Sequence, residues 1–223
     1  MQLKVHGTIL SPWVRRLLVF IEEKGLDYEI VNVVPMGDPD PDFLKISPLG
    51  KVPVLEYNGR FLPDSLAAAT LLEAEAPEPS LFPKKGWDEA WMLWLNDYLA
   101  TAFFSKVEVP LFINQFLNPK LLKAPSDQSA IDAALALMPQ VFDYLESQLA
   151  NGRPYFLGDQ ITLADLTAGS IFVNFLHAGE MVDASKWPNL SDYVDRMLAR
   201  PSFERVLARE REAFGAASPL FAD

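Results

Sequence analysis

The chain has 223 residues, a formal net charge of −11, a hydrophobic content of 50% and no cysteine. That charge excludes nucleic acid, which needs Lys and Arg gathered on one face, and disfavours anionic membrane surfaces. Absence of cysteine removes disulfides, thiolate metal sites and cysteine nucleophiles together, and fits a reducing compartment.

Residues 2–6 alternate as a strand. Pro12 then stands at a first helical position, ahead of Val14, Leu17, Leu18 and Ile21, an apolar face at helical spacing that closes at Gly25. Arg15 and Arg16 on this helix read as a solvated or interdomain face. Tyr28 to Val34 is β-branched and forms a second strand. The next stretch, Pro35 to Pro41, is a loop. Asp38, Asp40 and Asp42 imitate the start of a calcium loop, but Phe43 and Leu49 stand where that loop needs Gly and Glu. They are read as a solvated loop and a helix cap. Val52–Glu56 and Arg60–Leu62 flank Asn58-Gly59, a two-residue hairpin turn, and Leu66 to Ala76 is helical.

Residues 77–86, with Pro77, Pro79, Pro83 and Gly86, make a linker, and everything after it is helical. Trp87, Trp91, Trp94 and Tyr98 share one face of a long helix and are read as core or interdomain packing. Pro110, Pro119 and Pro125 break or bound the helical segments beyond it. Ile131 to Leu149 is a further helix in which Pro139 predicts a kink or restart. Thr162-Leu163-Ala164-Asp165 fits a capping box ahead of Thr162–Phe175, and Leu190–Leu198 and Ser202–Phe214 complete the bundle. No run approaches the roughly 20 apolar residues needed to span a bilayer. The first residues carry no basic leader, so a cytoplasmic location is expected. The two histidines, His6 and His177, are far apart and lack ligand spacing, so no metal site is expected.

Three places carry chemistry. A strand that opens on Val52-Pro53 is unusual, because proline has no N–H for a ladder. A cis bond at that entrance would turn the N–H and C=O of Val52 outward, where an extended peptide pairs as a short added strand. Asp64-Ser65 opens the next helix, whose N-terminus attracts a carboxylate; the same two residues also read as an ordinary capping pair. Peptide backbone on one side and carboxylate on the other suit glutathione. Ser11, directly before Pro12, reads either as an N-cap worth about 1 kcal/mol or as a hydroxyl donor to a ligand thiolate at a helix N-terminus.

Ser47-Pro48-Leu49-Gly50-Lys51-Val52-Pro53-Val54-Leu55, Asp64-Ser65 and Phe156-Leu157-Gly158-Asp159-Gln160-Ile161-Thr162-Leu163-Ala164-Asp165 resemble the glutathione S-transferase superfamily, in its serine-type, bacterial-like cytosolic form. The resemblance implies an α/β thioredoxin-like, glutathione-binding domain over residues 1–76, a linker over 77–86 and an all-α helical-bundle domain over 87–223. It implies Ser11 as the catalytic residue, stabilising the glutathione thiolate. Val52 and Pro53 would contact the peptide backbone. Ser65 would take the γ-glutamyl carboxylate and Asp64 the ammonium, although Asp is shorter than the Glu or Gln of many relatives. Lys51, or less directly Lys45, would meet the glycine carboxylate. Trp13, Phe103 and Phe104 are candidates for the hydrophobic-substrate site. Glutathione is then the co-substrate, an apolar electrophile the small-molecule partner, and a homodimer the expected assembly. Ser-Pro-Trp-Val holds no sulfur, which excludes dithiol exchange, and the Ser-Ser-Cys motif of zeta-type isomerases is missing. Two rivals stay open: a glutathione-dependent isomerase, peroxidase or ether-cleaving enzyme, and a non-catalytic ligand-binding or assembly protein on the same fold.

Overall fold

A computed structural model describes residues 2–35, 37 and 40–222. The chain divides into two compact units, Met1–Leu81 and Phe82–Asp223, so the break falls inside the proline-rich stretch after the third helix.

In the first unit the chain runs β1 (Leu3–Gly7), α1 (Pro12–Glu23), β2 (Glu29–Asn32), α2 (Pro41–Ile46), β3 (Val54–Tyr57), β4 (Arg60–Pro63) and α3 (Ser65–Glu75). The strands form one sheet in the order β2-β1-β3-β4. β1 lies parallel to β2, with Val5 opposite Ile30, and antiparallel to β3, with Val5 opposite Leu55. A parallel neighbour requires a crossover, which α1 supplies. The β3–β4 hairpin closes at Asn58 and Gly59, both at positive φ (49° and 79°), as a two-residue turn of this hand demands. Val14, Leu17, Leu18 and Ile21 are fully buried, as their spacing predicts.

Of the two readings of Arg15 and Arg16, a solvated or an interdomain face, burial rules out the solvated one. They are 0% and 4% exposed, on a helix enclosed nearly all round. Arg15 donates to the Ile9 carbonyl at 3.4 Å. Asp40 caps α2 by accepting from the Asp42 amide at 2.9 Å, as expected. Its calcium-loop companion Asp38 lies outside the described residues.

Lys24, its side chain fully buried, joins the linker to this unit. Its Nζ meets Glu73 at 2.6 Å and donates to the Pro79 carbonyl at 2.7 Å, while Glu73 also accepts from the Ser80 hydroxyl.

The second unit is helical. α4 (Trp87–Tyr98) continues through π-helical turns over Leu99–Glu108, the short α5 (Val109–Leu111) and further π turns over Phe112–Leu122. Pro110 and Pro119 therefore do not break the helix. The wider i→i+5 register relieves the clash a proline makes with the preceding turn, and the Pro110 carbonyl accepts from Asn114 Nδ2 at 2.8 Å. α6 (Gln128–Gln148) likewise runs through Pro139 without a restart. α7 (Leu163–His177) is buried over almost its whole circumference and forms the axis, with α8 (Pro188–Leu198) and α9 (Pro201–Phe214) packed around it.

The box at the start of α7 is present: Thr162 N–H and Oγ–H both donate to Asp165 Oδ2, at 2.8 and 2.9 Å. Asp165 Oδ1 accepts from the Phe156 amide at 3.0 Å and the Tyr193 hydroxyl at 3.2 Å. Burial pushes this carboxyl up, and the four donors pull it back. Among the described residues no helix is long and apolar enough to cross a membrane.

Candidate functional site

Ser11 is the N-cap of α1, at φ −79° and ψ 124°. Its carbonyl takes the Arg15 amide at 2.9 Å, while its Oγ accepts from the Val14 amide at a long 3.5 Å. The hydroxyl proton donates to no described residue. A half-buried O–H thus stands at the positive end of a twelve-residue helix, free to donate to an anion.

Gly7, at the end of β1, brings that helix start against the Val52 loop. A Cβ at this position would lie 2.5 Å from Val14 Cγ2 and 3.3 Å from the Val52 Cβ, so the close approach requires glycine. The Val52–Pro53 peptide bond is cis. The Val52 N–H and C=O make no hydrogen bond with a described residue, and the Pro53 carbonyl accepts from the Asp64 amide at 3.3 Å.

Asp64 is held at φ 81°, a left-handed conformation that costs a non-glycine residue about 1–3 kcal/mol. Its Oδ1 offsets this by capping α3, accepting from Leu66 N at 2.7 Å and Ala67 N at 3.0 Å. The capping reading of Asp64 is therefore real, yet Oδ2 accepts from no described residue. Ser65, the first residue of α3, is 2% exposed.

Arg16 is the member of the site that the sequence reading missed. It projects from α1, donates through its guanidinium to the Ser65 hydroxyl and lies over the Trp13 ring at 4.8 Å. Desolvation lowers its pKa to about 10, with the Asp64 carboxylate pulling the other way. It still carries its charge at neutral pH. A signal was present: Trp13 and Phe20 flank Arg16 at i−3 and i+4, so the cation sits inside an aromatic stripe and needs a buried partner.

Ser11, Val52, Pro53, Asp64 and Ser65 are thus joined through Gly7 and Arg16 in one unit. Lys51 is exposed beside them, and Lys45 is spent on an exposed ion pair with Asp42 at 2.7 Å. Trp13 is half-buried under Arg16, and Phe104 is half-buried in the other unit. Phe103 is a correction: it is fully buried, 4.6 Å from the Phe172 ring and 5.6 Å from the Phe142 ring, in the aromatic core of the helical unit. It has no face left for a substrate. Part of the aromatic stripe is corrected in the opposite sense: Trp87 and Trp94 are 76% and 47% exposed, while Trp91 and Tyr98 are half-buried.

The arrangement can bind an extended anionic peptide and hold a thiolate. The family model "Glutathione S-transferase, N-terminal domain" matches residues 10–75, and "Glutathione S-transferase, C-terminal domain" matches residues 99–201. A probable glutathione S-transferase, GSTF1, of Oryza sativa subsp. japonica is 26% identical, over 92% of this chain and 95% of its own length. Elongation factor 1-gamma 2 of the same plant is 28% identical over 96% of this chain, which spans 50% of that protein. The crystal structure of a glutathione S-transferase from Rhodospirillum rubrum F11 superposes with a TM-score of 0.83 at 29% identity, covering 92% of this chain and 91% of that one. With both domain models matched in order and the two-unit fold shared, the chain belongs to the glutathione S-transferase superfamily.

Proposed function

We propose that this protein conjugates the thiolate of glutathione to an apolar electrophile, in the cytoplasm, as a serine-type transferase. The observation that carries the proposal is the free Ser11 hydroxyl at the start of α1, in the same unit as a Ser65 anchored by Arg16. Glutathione would pair its backbone with the open N–H and C=O of Val52 and lay its γ-glutamyl carboxylate at Ser65. The free oxygen of Asp64 would take the ammonium, and Lys51 the glycine carboxylate. Ser11 Oγ–H would donate to the sulfur as the thiol proton leaves to solvent. That donor and the helix dipole favour the thiolate. The sulfur would then attack an electrophilic carbon, displacing its leaving group or adding across its double bond. Holding both reactants together supplies the rest of the acceleration. In this unit Trp13, half-buried beside Arg16, remains a candidate for holding the electrophile.

A homodimer belongs to the same proposal. Leu49 (79% exposed) and Phe61 (45%) in the first unit, and Leu93 (43%) and Trp94 (47%) in the second, are two apolar sets open to a second copy. A second reading, a fold kept without turnover, draws on the similarity to elongation factor 1-gamma 2.

The deciding experiment combines calorimetric titration with glutathione and a product assay across aryl halides, enals, hydroperoxides and β-aryl ethers. Thioether products with the first two classes are expected. Turnover confined to hydroperoxides or ethers would select the peroxidase or ether-cleaving rival. Binding without turnover would select the non-catalytic reading.

A further inference from the structure

The helical unit carries a cavity of about 440 Å³ that the proposed chemistry does not use, where the first turn of α4 meets the connector before α7. Trp87, Trp91 and Phe156 line it, together with Asp88 and Arg153. Its volume falls within the range of small-molecule sites. The two indoles stack at 6.1 Å with 14° between their planes, and Trp87 stays 76% exposed. A preformed aromatic platform therefore offers an open ring face to solvent, while Phe156 beside it is buried.

The two charges complete the pattern. Asp88 comes from α4 and Arg153 from the connector, and neither makes a hydrogen bond or ion pair with a described residue. Each is thus available to a ligand. An aromatic anion would satisfy Arg153 but face Asp88 and the net charge of −11. An aromatic cation would satisfy Asp88 but face Arg153. A zwitterion carries no net charge and satisfies both.

We propose that this cavity binds an aromatic α-amino acid, its ring stacked on Trp87, its carboxylate at Arg153 and its ammonium at Asp88.

The test titrates the full chain with L-phenylalanine, N-acetyl-L-phenylalanine and L-phenylalaninamide, read by tryptophan fluorescence and by calorimetry. L-phenylalanine should bind saturably in the millimolar range. The anionic and cationic derivatives should each bind about two- to fivefold more weakly, the scale of exposed charge contacts. Arg153→Gln should abolish the advantage of the amino acid over the amide, and Asp88→Asn its advantage over the N-acetyl form. Trp87→Ala should weaken L-phenylalanine about tenfold while leaving glutathione binding unchanged. Equal affinity for all three probes, no saturable signal, or full affinity in Trp87→Ala would each overturn the proposal. So would a Trp87→Ala variant that changes only the sedimenting mass, which would give the cavity to a second copy of the chain.

Discussion

The guanidinium of Arg16, buried on α1, donates to the hydroxyl of Ser65 at the first turn of α3. The group proposed to receive the γ-glutamyl carboxylate is therefore held by a cation from the helix that Ser11 caps. Leaving a buried hydroxyl without its hydrogen-bond partner costs about 1–3 kcal/mol. Arg16→Ala should lower stability by about that amount and raise the KM for glutathione about tenfold, with kcat less affected. Arg16→Lys should recover most of the stability but not the KM, because an ammonium cannot reproduce the planar contact with both Ser65 and Trp13. Stability and KM restored together would reduce Arg16 to a packing residue.

Ser11→Ala removes the donor proposed for the thiolate and, with it, a cap already weakened by its 3.5 Å reach. The apparent pKa of bound glutathione should rise and kcat/KM should fall by up to about 10²-fold, while glutathione affinity holds. Spectroscopic titration of the bound thiolate separates this from a folding defect. An unshifted thiol pKa with normal turnover would move the role to another donor.

Asp64→Asn separates the observed cap at Asp64 from its proposed contact with the glutathione ammonium. Asparagine keeps an oxygen for Leu66 N and Ala67 N and tolerates the positive φ, so the melting temperature should stay near that of the parent. Only the charge is lost, and glutathione should bind about tenfold more weakly by calorimetry. Unchanged affinity would leave Asp64 a cap alone.

Gly169→Ala tests the axis of the helical unit. The added methyl would lie 2.6 Å from Cζ of Phe203, itself fully buried. Overpacking of this kind costs about 1–3 kcal/mol. Thermal unfolding should show the loss, and Phe203→Leu in the same chain should return part of it. An unaltered melting temperature would mean that α9 shifts freely away from α7.

Asp127 gives a pH test with a definite sign. Its Oδ1 accepts from Ser129 Oγ at 2.6 Å, Ser129 N at 2.9 Å and Ala130 N at 3.3 Å. These bonds, the Ser129 hydroxyl foremost, hold the carboxyl below its usual 3.8. The unfolded chain then takes up the proton first as pH falls. The cap contributes fully above about 3.8 and is lost as pH drops through the lower folded value. Carboxyl NMR should place the midpoint under 3.8. Asp127→Asn should remove the loss of protection on acidification, relative to intrinsic exchange, at the Ser129 and Ala130 amides.

By itself the sequence determined what depends on neighbours along the chain. Helical spacing in Val14, Leu17, Leu18 and Ile21, the Asn58-Gly59 turn and the Thr162–Asp165 box all act within a few residues, and each is present in the fold. The motifs at Ser11, Val52-Pro53 and Asp64-Ser65 were legible for the same reason, since caps and strand entrances are local devices. Tertiary structure decided the rest. Arg16 reads as surface until Ser65, 49 residues away, supplies a buried partner. Phe103 reads as a pocket wall until Phe142 and Phe172 close over it, and Trp87 reads as core until the fold leaves its ring uncovered. Pro110 and Pro119 read as breaks because propensity assumes i→i+4 bonding throughout, and the long helix adopts i→i+5 turns just ahead of Pro110 and around Pro119. Burial and partner choice are sums over distant segments, and no window of the sequence contains them.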